Sequence, residues 1–251
     1  MIRHLNILSA LADCGKSLSA QEVSKLTGMP RATGYKVLEE LVADGWLVEE
    51  GSPRRFRPSL KVAHLGLRAL TPLRARRVVI PHSIDCARAL DKRCSIAFYE
   101  AGSVVYTDGF QRLGENIVPF ALTARAHCLT TASGKVLLAF QTDSEMRRIV
   151  CESSLPRRLD GTEADREDLV AELLHVRAVR YAVANGEYDA RSRGIAAPVF
   201  SQDGTVAAAM GVDAPSGMTS TFVESVLAPL CGATNRASLE LGYMEEHELL
   251  A

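Results

Sequence analysis

The sequence has little of what marks a membrane-spanning, secreted or metal-binding chain. Its longest apolar runs, such as Val136-Leu137-Leu138-Ala139-Phe140, are far shorter than the roughly 20 residues that span a bilayer. The opening Met1-Ile2-Arg3-His4-Leu5-Asn6 lacks the apolar stretch of a secretory signal. A cytoplasmic location with no membrane partner is therefore expected. Six cysteines, at positions 14, 86, 94, 128, 151 and 231, form no CxxC pair and have no companion CxxxH or HxxxH. That excludes ordinary zinc spacing and a redox pair, so the expectation is packed, reduced thiols and no metal or other cofactor.

Net charge is lacking too. With 29 Lys and Arg against 30 Asp and Glu, the formal charge is -1, which offers no global basic field to attract nucleic acid. Any nucleic-acid reading must rest on local geometry. No internal repeat or low-complexity segment stands out either. What the chain does have is 251 residues, 47% of them hydrophobic and 24% charged, enough for two packed domains without disulfide staples.

Along the first sixty residues the signals are helical. Leu5, Leu8 and Leu11 recur three apart, stopping at Cys14-Gly15. Ser19-Ala20-Gln21-Glu22 is a capping box that opens a second helix, with Val23 and Leu26 facing inward. Gly28-Met29-Pro30 supplies a positive-φ turn and then a fixed-φ start, which predicts a third helix from Pro30 or Arg31 to Asp44. Val37, Leu38, Leu41 and Val42 should form its buried stripe, leaving Arg31, Thr33, Lys36 and Glu40 outside. After Gly45, Trp46 to Glu50, then Gly51-Ser52-Pro53-Arg54 and Arg55-Phe56-Arg57 read as a hairpin with a basic tip. Three helices and a hairpin make a winged helix.

Ser59 then caps a helix from Leu60 to Leu70 with Leu60, Ala63, Leu67 and Leu70 on one side, read as a linker. Beyond it α and β signals alternate. Helices are expected at His82 to Leu90, Ala132 to Phe140, Ser144 to Cys151, Asp165 to Val179 and Ser220 to Gly242. Strands are expected at Ser95 to Tyr99, Val104 to Thr107, Asn116 to Ala121, Tyr181 to Ala184, Ile195 to Phe200 and Val206 to Asp213. Gln202-Asp203-Gly204 marks a hairpin turn, and Arg157 to Gly161 a mobile loop. The fold class is α+β: a winged helix-turn-helix over residues 1–58, a linker helix over 59–72, and a domain with a largely antiparallel sheet over 73–251.

A helix enters the major groove only when its first turn carries side chains that reach base edges and its other face is held by a small core. Arg31, Ala32, Thr33, Tyr35 and Lys36 occupy that first turn and the start of the next. Arg31 has the fork for a guanine, Thr33 a hydroxyl and a methyl, Tyr35 a ring and hydroxyl for stacking or phosphate, and Lys36 a longer-reaching cation. Arg54, Arg55 and Arg57 at the wing would contact phosphates or the adjacent minor groove. Each residue alone is more often an ordinary solvated charge. Together, the capped second helix, the turn, the basic first turn and the basic hairpin point to double-stranded DNA. Residues 1–60 carry eight Lys and Arg against seven Asp and Glu, so one copy should bind weakly and a dimer on paired half-sites is implied.

Gly28 to Leu41, Gly45-Trp46-Leu47-Val48 and Phe56 to Val62 resemble the IclR family of bacterial regulators. The likeness continues in Leu129-Thr130-Thr131-Ala132-Ser133-Gly134-Lys135-Val136-Leu137-Leu138-Ala139 and in Gly194-Ile195-Ala196-Ala197-Pro198-Val199, so that it spans nearly the whole chain. What the resemblance implies is a GAF-like effector domain, a homodimer or dimer of dimers, and control of catabolic genes by a small, often carboxylated metabolite. Carried over to this sequence, the effector site falls on the backbone amides near Ala132 and Ser133, where a helix start favours an anion, and on Gly194, Gly211 and Asp213.

There the chain departs from the pattern. Relatives that take small keto acids tend to have a cysteine and serines at the last three positions, and an acidic residue where Ala184 stands. A different effector is implied, larger and with a hydroxyl or cationic group of its own. Arg191 and Arg193 either pair with its carboxylate or are surface arginines with solvated partners. In the third helix Ala32-Thr33 and Lys36 stand where the family usually shows Ser-Thr and then Arg. Gly34 costs that helix about 1 kcal/mol relative to Ala, explained either by close approach to DNA or by crowding against a neighbouring helix.

An enzyme would need convergent acid, base or nucleophile positions. Ala132 to Val136 lacks the leading glycine and the Ser/Thr of a phosphate loop, with Leu129 and Val136 in their places. His127 and Cys128 are adjacent and point to opposite faces of a strand, while Glu187 and Asp189 have no histidine or metal ligand obvious beside them. The expectation is therefore not an enzyme. The alternative is a sensory or catalytic domain whose winged helix mainly dimerises.

Overall fold

The computed structural model describes residues 2–70, 74–120, 125–157, 161–186, 193–214 and 219–244. The chain divides into two compact units, Met1–Pro72 and Leu73–Ala251.

In the first unit α1 (Ile2–Cys14), α2 (Ala20–Thr27) and α3 (Arg31–Ala43) precede a hairpin of β1 (Leu47–Glu50) and β2 (Arg55–Pro58). The core is Ile7, Leu11, Leu18, Val23, Val37, Leu38, Leu41, Leu47 and Phe56. Ser19 caps α2 in the expected reciprocal way: its hydroxyl accepts from the Glu22 amide at 3.3 Å and its own amide donates to the Glu22 carboxylate at 2.7 Å. Gly28, at φ 67°, ends α2 in the left-handed region. Leu18 exchanges two backbone hydrogen bonds with Phe56, at 2.9 and 2.8 Å, and so fastens the wing to the segment that opens α2.

Two details of α3 differ from expectation. The buried stripe is Gly34, Val37, Leu38 and Leu41, and Val42 is only half-buried. A Cβ on Gly34 would meet nothing within 4 Å, so crowding against a neighbouring helix is not its reason. The following α4 (Leu60–Leu70) begins where Lys61 donates to the Asp44 carbonyl at 2.8 Å and sits 4.2 Å from the centre of the Trp46 ring. Of its expected apolar side, Leu60 and Ala63 are exposed to solvent, and the side chains of Leu67 and Leu70 lie outside the described residues.

The second unit is built on a seven-stranded sheet in the order β5-β4-β3-β9-β8-β7, with β6 pairing on β4. Its strands are β3 (Cys94–Glu100), β4 (Ser103–Leu113), β5 (Asn116–Pro119), β6 (Arg125–His127), β7 (Ala182–Asn185), β8 (Arg193–Phe200) and β9 (Val206–Asp213). Every pairing is antiparallel. Alternation along the strands divides the core in two. Ile195, Ala197, Val199, Ala208, Met210 and Val212 pack under α5 (Arg74–Leu90) and α9 (Ser220–Glu240). Ala97, Ala196 and Ala209 face α6 (Ala132–Ala139), α7 (Asp143–Glu152) and α8 (Arg166–Val179).

Two elements run well past their expected ends. A helix was expected only from His82, yet α5 starts at Arg74 and continues through Pro81. Proline removes one intrahelical bond, and here Val79, on the preceding turn, is fully buried against the sheet and holds the helix together across it. Strand β4 extends to Leu113, six residues beyond Thr107. Its polar continuation is held by pairing with β5 and by Arg76, whose guanidinium clasps Asp108 at 2.7 and 2.6 Å. Ala121, the expected end of the next strand, lies outside the described residues, as do residues 158–160 of the expected mobile loop.

Candidate nucleic-acid interface and effector cavity

Burial of Val37, Leu38 and Leu41 fixes which face of α3 turns to solvent. Arg31, Ala32 and Lys36 are exposed, and Thr33 and Tyr35 are half-buried. Pro30 precedes the first turn with no side-chain cap, so the free amides there are open to an anion. Lys36 stands 4.0 Å from Glu40 with 79% of its side chain in water, a pairing too loose and solvated to hold it.

The three wing arginines are all engaged within the unit. Arg57 donates to Glu50 at 2.9 Å. Arg55 turns inward, donating to the Ser17 carbonyl at 2.7 Å and to Glu22 at 3.0 Å. Arg54 forks onto Glu49 and reaches the Tyr35 hydroxyl. These bonds hold the Glu49 and Glu50 carboxyls below the usual carboxylate range. Glu22 is lowered as well, chiefly by the Ser19 amide.

In the second unit a cavity of about 700 Å³ opens on the α6 side of the sheet. Ala132, Ser133, Arg193, Gly194, Gly211 and Asp213 all line it. Arg191 lies outside the described residues, as do Glu187 and Asp189. The sheet register makes this convergence: Gly194 pairs with Asp213, Gly211 lies between Ser95 and Ala196, and Ala184 pairs with Gly194. Thr131 caps α6, its hydroxyl accepting from the Gly134 amide at 3.1 Å.

The cavity is richer in hydroxyls than its glycines suggest. Ser95 and Tyr106 also line it, and sequence reasoning missed both. Ser95 is the lone hydroxyl in the buried run Cys94 to Ala97, a signal that gains meaning only once β3 is known to lie beside Gly211. A Cβ on Gly211 would stand 2.8 Å from Ser133 Oγ and 3.1 Å from Ser95 Oγ. One on Gly194 would stand 2.8 Å from the Val212 carbonyl. Serine at position 211 would thus displace the hydroxyls already converging there.

Burial pushes the Asp213 carboxyl up, with Arg93 working against that shift. Burial also raises Tyr106, opposed by hydrogen bonds with Thr131 and Ser133. Arg93, another lining residue not foreseen, donates to Gln111 at 2.9 Å and lies 5.0 Å from the centre of the Phe120 ring. The mouth therefore pairs cations and a ring with a carboxyl that resists ionising.

Other groups weighed for chemistry are occupied structurally. Lys135 is buried at 2.7 Å from Glu172, away from any phosphate role. His127 bonds Ser153 at 3.0 Å, while burial pushes the Cys128 thiol up to about 12. Among the described residues no group of three His, Cys, Asp or Glu side chains is placed to hold a metal ion, and no helix is long and apolar enough to cross a membrane.

A capped helix-turn-helix with a wing, followed by a sheet with a polar cavity at a helix start, defines a helix-turn-helix regulator with an effector-binding domain. Residues 2–51 match the IclR helix-turn-helix domain, and residues 68–238 match the bacterial transcriptional regulator IclR C-terminal family. The chain belongs to the IclR family. It is 26% identical over 245 residues to the HTH-type transcriptional regulator KdgR of Escherichia coli, covering 97% of this chain and 92% of that one. It is likewise 26% identical to the Pca regulon regulatory protein of Pseudomonas putida, covering 94% and 81%. Among solved structures it is similar to an IclR homolog from Microbacterium hydrocarbonoxydans complexed with 4-hydroxybenzoate, with a TM-score of 0.78, 26% identity, and 95% and 97% of the two chains covered. The Thermotoga maritima IclR shares the fold, with a TM-score of 0.73, 22% identity and 96% and 97% coverage.

Proposed function

We propose that this regulator reads a double-stranded DNA operator through α3 and is controlled by a small carboxylated metabolite bound in the cavity of the second unit. Arg31, Ala32, Thr33, Tyr35 and Lys36 face the bases and nearby phosphates, with the wing alongside. The cavity takes the effector's carboxylate at the α6 start beside Ala132 and Ser133, with Arg193 as a neighbouring cation. Its far end meets Asp213, which accepts a hydrogen bond from a hydroxyl or cationic group, or donates one while protonated. The protein works in the cytoplasm as a homodimer or dimer of dimers, since one nearly charge-balanced head binds DNA weakly. The linker carries the effector's influence to the DNA-reading heads.

The observation that carries this reading is the meeting of Ala132, Ser133, Arg193, Gly194, Gly211 and Asp213 in one cavity. A hydroxylated aromatic acid in a 26%-identical relative supports the same ligand class, and catabolic genes are the natural targets of such an acid. Two measurements test it. A thermal-shift screen of aromatic and sugar-derived acids should find compounds that raise the melting temperature, because a ligand of the folded state alone must stabilise it. Those compounds should change operator affinity in a gel-shift titration, and Arg31→Ala with Lys36→Ala should abolish it. A winged helix that merely dimerises would lose nothing from those two changes.

A further inference from the structure

Of the three wing arginines, Arg54 has the most fully committed guanidinium. Its Nε and Nη2 each lie 2.5 Å from one oxygen of Glu49, a two-point fork. Its Nη1 donates to the Tyr35 hydroxyl and stands 3.9 Å from Glu39. The carbon at the centre of the guanidinium lies 5.4 Å from the centre of the Tyr35 ring and 5.9 Å from that of Phe56. Glu49 belongs to β1, Tyr35 and Glu39 to α3, and Phe56 to β2. One side chain thus joins the wing to the helix that faces the bases.

That arrangement conflicts with a role as a phosphate ligand. To give its fork to a phosphate, Arg54 would have to leave a two-point bond. Glu49 and Glu39 would then face an anion without their cation. Arg57 is as exposed as Arg54 but holds Glu50 through a single nitrogen, so a phosphate can take it over at less cost. Among the described residues, Tyr35 is the side chain of the reading turn that the wing holds, and Arg54 sets the direction of its hydroxyl.

We infer that Arg54 is a positioning residue rather than a phosphate contact: held by Glu49, it fixes the wing against α3 and orients Tyr35 for base-sequence recognition. The inference rests on the DNA-reading proposal above, and it assigns Glu49 a positive role in binding despite its charge.

The test uses the full chain, a duplex selected by the wild-type protein from a random library, and a scrambled duplex. Affinity is measured across a salt series. Arg54→Ala should lose about tenfold in affinity for the selected duplex, with the scrambled duplex unaffected and the slope of log affinity against log salt unchanged. Arg54→Lys should not rescue, because an ammonium cannot make the fork. Glu49→Gln, which keeps shape and packing, should reproduce the loss, and Tyr35→Phe should share its selectivity defect. A slope reduced by about 0.9 per arginine removed, with both duplexes weakened alike, would make Arg54 a phosphate ligand and overturn the inference. So would a gain in affinity from Glu49→Gln. If wild type selects no duplex, or Arg31→Ala binds the selected one unchanged, the DNA-reading proposal itself falls, which is a separate result.

Discussion

Ser133 Oγ lies 2.8 Å from the point where a Cβ on Gly211 would stand, with Ser95 Oγ 3.1 Å from the same point. The missing methyl on the central strand is what lets two hydroxyls from different elements meet over bare backbone. Gly211→Ala should therefore push Ser133 aside at the start of α6 while keeping the sheet, since an alanine suits an extended backbone. Overpacking of this kind costs roughly 1–3 kcal/mol. The expected result is a modest fall in melting temperature and loss of the stabilisation given by acids that stabilise wild type. An unchanged set of stabilising acids would place their binding elsewhere.

Asp213 gives a pH-dependent prediction. Burial raises its carboxyl above the ordinary 3.8, and Arg93 only partly opposes that. A group with a raised folded pKa favours folding most when protonated. Its contribution is full below 3.8 and is lost as pH rises through the folded value. At neutral pH the buried carboxylate is a burden that Asn does not carry. Asp213→Asn should thus melt higher than wild type at pH 7, and the advantage should shrink on acidification and vanish once the wild-type side chain is protonated in both states. The same substitution should alter which acids stabilise the protein. A melting difference independent of pH would show that the carboxyl is not strained by burial.

Much of the first unit was legible because its signals are local. The Ser19 capping box, the left-handed turn at Gly28 and the stripe of Val37, Leu38 and Leu41 are all set by neighbours a few residues apart. The proposed effector residues came chiefly from the family resemblance, and of them Ala132, Ser133, Gly194, Gly211 and Asp213 line one cavity. What stayed hidden was long-range. Ser95 and Tyr106 carry no local mark of their place in the cavity, because pairing across β4, β3, β9 and β8 brings them there. Nor did the wing's basic tip announce that Glu49, Glu50 and Glu22 would hold its arginines. The beginning of α5 was hidden as well: the helix was expected only from His82, whereas burial of Val79 on the turn before Pro81 keeps it intact from Arg74.

The pair formed by Lys135 and Glu172 allows a test of how burial is shared within an ion pair. The lysine side chain is 2% exposed and the glutamate 39%, with 2.7 Å between Nζ and Oε1. Lys135 also lies 3.4 Å from the Val183 carbonyl, so it links α6, α8 and β7. Removing one charge of a buried pair is costly because of the partner left behind, and here the two partners are left in different surroundings. Lys135→Met fills the same space with an apolar chain and leaves Glu172 able to turn to water, so its effect on stability should be small. Glu172→Ala takes the Glu172 carboxylate away from an ammonium held in the core, and should cost more, roughly 1.5–3 kcal/mol, the worth of one hydrogen bond to a charged group. Urea unfolding of the two variants reads the difference directly. If Lys135→Met proved the more damaging, the lysine's charge would be needed for something beyond this pair, and the purely structural role given to it here would be wrong.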